Sequence, residues 1–334
     1  MSHQPARRPL LTALAATALL MTSTACGAVS GGSVDAASGS ASGSSSASAS
    51  LRPVKTITYV NPAPFYPAFT DVGDCLTKQA DTYGWKTNEV GTPGSAVDNQ
   101  GAIDLISQAI ANGTDALVVF PTIPELFTPV IQEARAKGIY VVAQNAGAPS
   151  TGQQTQVGTD AKQLGGIIAE GLGAKQPDAQ VGVLSGSAST TPHVDEIKGF
   201  QDAAASKFPG IKVVAGDYTN GDATKAPELW SNMLTAHPEI TTLFAVQGTD
   251  VAAAITAVKE RGLTGKVTVV ANDLTPDHRA AIEDGSLLGV GEQGWCEAGT
   301  KAAEAVKSLS EGQQLPEFIP TTSTYYDKSN LPAQ

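Results

Sequence analysis

The apolar runs along this chain stop at Val60-Asn61, Phe120-Pro121, Gln144-Asn145, Gly186-Ser187, Val246-Gln247, Asn272-Asp273 and Glu292-Gln293. These ends are rich in Asn, Gln and Asp, and none carries Lys or Arg. A side-chain amide presents a donor and an acceptor at one tip, whereas a carboxylate only accepts. Together they suit vicinal hydroxyls, which must both give and take hydrogen bonds. The chemistry implied is recognition of a neutral polyhydroxylated molecule rather than an anion. The competing assignment for any one of these residues is the cap of a following helix.

Catalytic chemistry finds little support. Of the four histidines, His3 lies in the first residues, His193 and His278 stand beside Pro or in a PDH turn, and His237 sits in AHP. None has metal-ligand spacing to another His, Cys or carboxylate. GTPGSAVDNQG lacks the Lys-Ser/Thr of a phosphate loop, and LSGSAST lacks a G-x-S-x-G elbow. No catalytic residue, metal or cofactor is expected.

The elements that must position these residues alternate between strand and helix. TITYV (56–60), DALVVF (115–120), IYVVAQN (139–145), QVGVLSG (180–186), KVVAGDY (212–218), ITTLFAV (240–246), KVTVVAND (266–273) and LLGVGEQ (287–293) predict strands. Several are apolar throughout rather than alternating, as in parallel strands covered on both faces. Helical spacing fills the gaps: a segment with Cys75, Leu76 and Ala80 that stops at Gly84, then 128–138, 194–210 and 250–262. The order predicts an α/β fold of parallel sheets flanked by helices. In such sheets ligands sit beyond the carboxyl ends of the strands, where the amides and acids fall.

The first residues read as an export signal. Arg7 and Arg8 precede the apolar stretch Leu10–Met21, which is too short to span a bilayer, and small residues follow. Ser23-Thr24-Ala25 satisfies an ordinary signal-peptidase site, but Ala25-Cys26-Gly27 resembles a bacterial lipoprotein site, from which only Ser23 departs. Cys26 is therefore the expected lipidation residue, and the Gly/Ser/Ala-rich run behind it a flexible tether. A net charge of −11, without a basic cluster, disfavours nucleic acid. Cys75 and Cys296, the other two cysteines, are candidates for one disulfide in an oxidising compartment or else two unlinked buried thiols.

The segments NGTDALVVFPT, VIQEARAKGIYVVAQN, QVGTDAKQLGGIIAEGL, EIKGFQDAAA, NMLTAHPEITTLFAVQGTDVAAAITAVKERG and VVANDLTPDHRAAIEDGSLLGVGEQGWCEAG resemble the periplasmic sugar-binding proteins of ABC transporters. The similarity is to the ribose/galactose type, which shares its fold with the lactose-repressor family. It implies a type I periplasmic binding fold: two Rossmann-like lobes joined by three crossover strands, near Gly158, Gly294 and Pro320. The implied layout is a signal at 1–25, a tether at 26–53, a first lobe of 54–157 with 294–319, and a second of 158–293 with 320–334. It also implies that the helices bearing Cys75 and Cys296 are neighbours in the first lobe.

The resemblance carries a ligand set with it. The family's aspartate after the sixth strand falls on Asp273, next to Asn272, and its glutamine before the next helix falls on Gln293. The Asp-Arg pair common after the fourth strand is Gln144-Asn145 here. An arginine ahead of the KGF-like phrase falls on Val194 or His193, and an asparagine before DVAAA on Gln247, Gly248 or Thr249, with Asp250 next. In the loop 61–75, after Asn61, sugar binders place aromatic platforms, for which Phe65, Tyr66, Phe69 and Trp295 are candidates. Pro62, Pro64 and Pro67 would stiffen that loop.

The function implied is a lipid-anchored solute receptor, on the outer face of the cytoplasmic membrane, of an ABC importer. It would close on a sugar or sugar alcohol and present it to permease subunits as a monomer. The alternative is a sensor that passes an autoinducer-type furanose or chemotactic sugar signal to a partner.

Overall fold

Strand and helix alternate along the chain because each apolar run is followed by an amphipathic one. In order they are β1 (Thr56–Asn61), α1 (Pro67–Thr82), β2 (Lys86–Gly91), α2 (Asn99–Ala111), β3 (Ala116–Val119), α3 (Pro124–Ala136), β4 (Tyr140–Gln144), β5 (Thr155–Gly158), α4 (Ala161–Gly173), β6 (Gln180–Ser185), α5 (Thr191–Lys207) and β7 (Lys212–Tyr218). There follow α6 (Ala226–Ala236), β8 (Thr242–Ala245), α7 (Val251–Glu260), β9 (Thr268–Asn272), α8 (Pro276–Asp284), β10 (Gly289–Glu292), α9 (Trp295–Ser310), β11 (Phe318–Pro320) and β12 (Thr324–Asp327). This computed structural model describes residues 51–94 and 96–333. The expected signal, Cys26 and nearly all of the tether lie outside the described residues.

Two six-stranded sheets result, in the orders β11-β5-β4-β3-β1-β2 and β12-β10-β9-β8-β6-β7. Every pairing in the first is parallel. The second departs from the all-parallel expectation at one edge, where β12 runs antiparallel to β10. The chain passes between the sheets three times: after Gly158, between Glu292 and Trp295, and after Pro320.

Alternation of side chains explains why the central strands are apolar at every position. In β3, Ala116 and Val118 join one core with Ile57, Val72, Leu76, Ala302 and Val306. Leu117 and Val119 point the other way, into a core with Ile106, Phe127 and Ile131. The second sheet repeats the plan: Leu243 and Ala245 pack with Trp230 and Ala254, and Phe244 and Val246 with Ile168 and Phe200. Parallel strands covered on both faces have no solvent side on which to place polar residues.

Two helix pairs fix the walls of the space between the sheets. α1 lies on α9, and Cys75 is bonded to Cys296 across the pair, with Cα atoms 5.2 Å apart. α4 lies on α5 through Gly165 and Gly199. A Cβ on Gly165 would strike the Glu196 carbonyl, and one on Gly199 the Lys162 carbonyl. Glycine at both positions lets the two backbones touch, and that sets the position of the first turns of α5.

Candidate ligand cleft

The carboxyl ends of the two sheets open on one cleft of about 630 Å³. Strand polarity puts them there, and the loops that follow β1, β3, β4, β6, β8 and β9 supply lining residues from both sides. The helices after the strands are capped from elsewhere: Asp98 accepts from Gly101 N at 2.9 Å, Asp160 from Gln163 N at 3.0 Å, and Thr275 from His278 N at 3.2 Å. Of the polar strand-end residues, Glu292 bonds at a helix start, accepting from Gly294 N at 3.0 Å ahead of α9, and the others make no such cap bond, so capping accounts for little of the set.

Asp273 is the centre of the polar network. Its Oδ2 accepts from the Tyr66 hydroxyl at 2.6 Å. Its Oδ1 accepts from Gln293 Nε2 at 2.8 Å and from Trp295 Nε1 at 2.7 Å. Asn145 Nδ2 donates to Gln293 Oε1 at 3.2 Å, and Asn145 Oδ1 accepts from Thr159 N at 2.8 Å. Asn145 and Asp273 both adopt left-handed backbone, with φ of 53° and 68°. Each follows one of the two central strands of its sheet and bonds through N–H to the next strand, at Val157 O and Gly291 O. Asn and Asp tolerate this conformation better than other side chains do.

The three passages between sheets are tied at one atom. The Gln293 carbonyl accepts from Thr159 Oγ1 at 3.0 Å and Thr321 Oγ1 at 2.7 Å. The three passages therefore meet at the residue whose side chain also carries the Asp273 and Asn145 contacts.

An aromatic wall adjoins this network and shares Tyr66 and Trp295 with it. Phe69 meets Trp295, Phe120 and Tyr66 edge to face, at centroid separations of 5.0, 5.2 and 6.3 Å. All four line the cleft with Phe65, which is 40 % exposed. Burial, and after it the Asp273 charge, push the Tyr66 phenol above its ordinary value, so it stays a donor.

Of the residues expected to face ligand, Phe65, Tyr66, Phe69, Asn145, His193, Gln247, Asn272, Asp273, Gln293 and Trp295 line the cleft. Asn61, Gln144 and Asp250 do not. Asn61 donates from Nδ2 to Glu89 Oε1 at 2.8 Å and accepts from Ala63 N at 2.9 Å, so its amide holds the loop instead. Gln144 is fully buried, on the opposite side of the strand from its neighbour Asn145. Asp250 is fully buried behind Thr249, whose hydroxyl donates to Oδ1 at 3.3 Å, and burial pushes it up to about 7. Val194 is 44 % exposed and away from the cleft.

Strand-end reasoning passed over Glu196, Phe120 as an aromatic wall, and the hydroxyl and amide groups of Asn99, Thr122, Thr159 and Asn220, all of which line the cleft. Among the described lining residues none is Lys or Arg. Among the described residues there is also no cluster of His, Cys, Asp and Glu suited to a metal ion.

Residues 57–314 match the sequence profile of the periplasmic binding protein domain. The chain belongs to the periplasmic binding protein family. It is 30% identical over 208 residues to the D-ribose/D-allose-binding protein of Pseudomonas aeruginosa, an overlap of 59% of this chain and 63% of that one, under two thirds of the relative's length. Identity to the ribose import binding protein of Salmonella typhimurium is 28% over 279 residues, 82% of this chain and 90% of the relative. A glucose-galactose binding protein from Geobacillus stearothermophilus has the same fold, with a TM-score of 0.78 at 21% identity, over 84% of this chain and all of that one. These relatives are binding proteins, not enzymes, and the two-lobed α/β architecture of this periplasmic binding protein is theirs.

Proposed function

We propose that this protein binds a neutral sugar or sugar alcohol between its two lobes by hinge closure and hands it to the permease of an ABC importer. The observation that carries this reading is the Asp273 network. One carboxylate gathers Tyr66 from the first-sheet side with Gln293 at a passage between sheets, directly beside an aromatic wall. Sugar rings present apolar C–H faces to aromatic rings and hydroxyls to amides and acids, and the cleft offers both surfaces side by side. A lining without Lys or Arg gives a carboxylate or phosphate no counter-charge. The names of the ribose- and allose-binding relatives point the same way.

Ligand-facing roles are assigned to Tyr66, Phe65, Phe69, Asn145, His193, Gln247, Asn272, Asp273, Gln293 and Trp295. The layout proposed is a cleaved signal, a lipid on Cys26, a Ser/Gly/Ala tether and a monomeric receptor that reaches a membrane permease from outside. Globomycin treatment and mass spectrometry of the native protein test the anchor.

A thermal-shift panel of sugars, polyols, amino acids and sugar phosphates tests the ligand class, since a molecule that binds only the folded state raises the melting temperature. Stabilisation by at least one neutral sugar or polyol is expected. Stabilisation by amino acids or sugar phosphates alone would sink the reading.

A further inference from the structure

Glu196 is a buried polar group of the cleft that the hydrogen-bond network around Asp273 leaves out. It lies in α5, is 3 % exposed, and lines the cleft. Its Oε2 accepts from Asn272 Nδ2 at 2.9 Å, and the same Nδ2 donates to Val246 O at 2.8 Å. Two oxygens are left without a partner among the described residues: Glu196 Oε1 and Asn272 Oδ1. One turn earlier on the same face of α5, His193 also lines the cleft, and its Nδ1 is buried and unpartnered too.

The charged groups of the surrounding elements give Glu196 no counter-ion. On α5 itself, Asp195 reaches Lys162 of α4 at 3.7 Å, and Lys207 holds Glu170 of α4 at 2.6 Å, both pairs exposed at the surface. β7 contributes Lys212 and Asp217, both on exposed or partly exposed positions. From the end of β9 comes Asp273, a like charge. Burial first, then Asp273, raise Glu196 well above the usual carboxylate range. Burial likewise pushes His193 down to about 4. A carboxyl so placed keeps its proton, because a buried charge without a partner is costly. With Oε2 already accepting from Asn272, the proton belongs on Oε1.

We propose that Glu196 contacts the ligand as a protonated carboxyl, its Oε1 donating to a ligand hydroxyl while the adjacent Asn272 Oδ1 accepts from one. The second lobe then reads an uncharged hydroxyl pair and turns away carboxylate and phosphate groups. This rests on the proposal that the cleft holds a sugar or polyol and adds the residue that enforces neutrality.

Calorimetric titration of D-ribose, D-allose, D-arabinose and xylitol into wild type and into Glu196→Gln, Glu196→Ala and Glu196→Met tests it. D-Glucuronate and ribose 5-phosphate serve as anionic probes. Glutamine keeps one donor and one acceptor without charge, so any neutral probe that binds wild type should bind E196Q more tightly than E196A or E196M. Alanine and methionine remove the donor and weaken that probe about tenfold or more. Melting without ligand checks folding, and methionine keeps the side-chain volume should alanine impair it. The anionic probes do not bind wild type. E196Q as weak as E196A, methionine binding at wild-type strength, or preference for an anionic probe each overturns the proposal. Failure of every neutral probe on wild type is a different result, since it needs no variant and overturns the underlying ligand class.

Discussion

The Tyr66 hydroxyl donates to Asp273 Oδ2 at 2.6 Å across the cleft, joining the loop after β1 of one sheet to the end of β9 of the other. A bond between lobes forms only when they are close, so it favours the closed arrangement. Tyr66→Phe keeps the ring in the aromatic wall and removes only this bond. A charge-assisted bond of this kind contributes on the order of 1.5 kcal/mol, so ligand affinity should fall about tenfold. Small-angle scattering of the ligand-free variant should show a larger radius of gyration. Unchanged affinity together with an unchanged radius would mean the bond does not govern closure.

Asp273 binds three donors and holds left-handed backbone at φ 68°. Asp273→Ala removes the ligand contact, and the structure predicts a cost to folding as well. Each buried donor left unpaired costs about 1–3 kcal/mol. Alanine adds about 1 kcal/mol of backbone strain, which asparagine avoids. Melting temperatures should therefore fall in the order wild type, Asp273→Asn, Asp273→Ala, with ligand response lost in both variants. Equal melting of the two variants would remove the backbone argument.

Position in the sheet decided which residues could be foreseen. The apolar runs of β3, β4, β8 and β9 announce parallel strands because both their faces are covered. β2 reads KTNEVG and lies at a sheet edge with none of its residues fully buried, so no apolar run marks it. β11 and β12 are edge strands as well, mostly half-buried, and no run covered on both faces marks them. In the cleft, a strand end locates a residue near the ligand face but does not say which way it turns. Asn145 faces the cleft and Gln144, one residue earlier, is buried away from it. Glu196 lies on a helix, beyond the reach of strand-end reasoning. Its spacing from His193 and Phe200, three and four residues, does put it on the face that carries them, and an acid there is the signal that was available.

The Cys75–Cys296 bond closes a loop between residues 221 apart and ties α1, behind the aromatic loop, to α9, behind Trp295. A loop of this length is stabilised by about 2–5 kcal/mol, chiefly through the unfolded chain. Denaturant unfolding in the presence of a reductant, or of the Cys75→Ser/Cys296→Ser variant, should show a midpoint lowered accordingly. Binding at 25 °C should persist, because no cysteine lines the cleft. Two free thiols titrated in the unfolded, unreduced mature chain lacking Cys26 would show that the bond does not form.

Asp250 gives the clearest dependence of stability on pH. It is fully buried with Oδ2 unpartnered among the described residues, and burial pushes it from 3.8 up to about 7. A carboxyl whose folded value is raised binds more protons in the folded state than in the unfolded one. Its burial is therefore harmless near pH 4, and stability is lost progressively as pH rises from about 4 to about 7. Asp250→Asn keeps the shape, remains neutral throughout and can still accept from Thr249. The variant should match wild type in urea unfolding at pH 4 and exceed it by on the order of 1 kcal/mol or more at pH 8. Since α7 begins next to Asp250, an equal deficit of the variant at both pH values would point instead to a packing or capping role at that helix start. A gap that opens only above pH 4 is the signature of the buried proton.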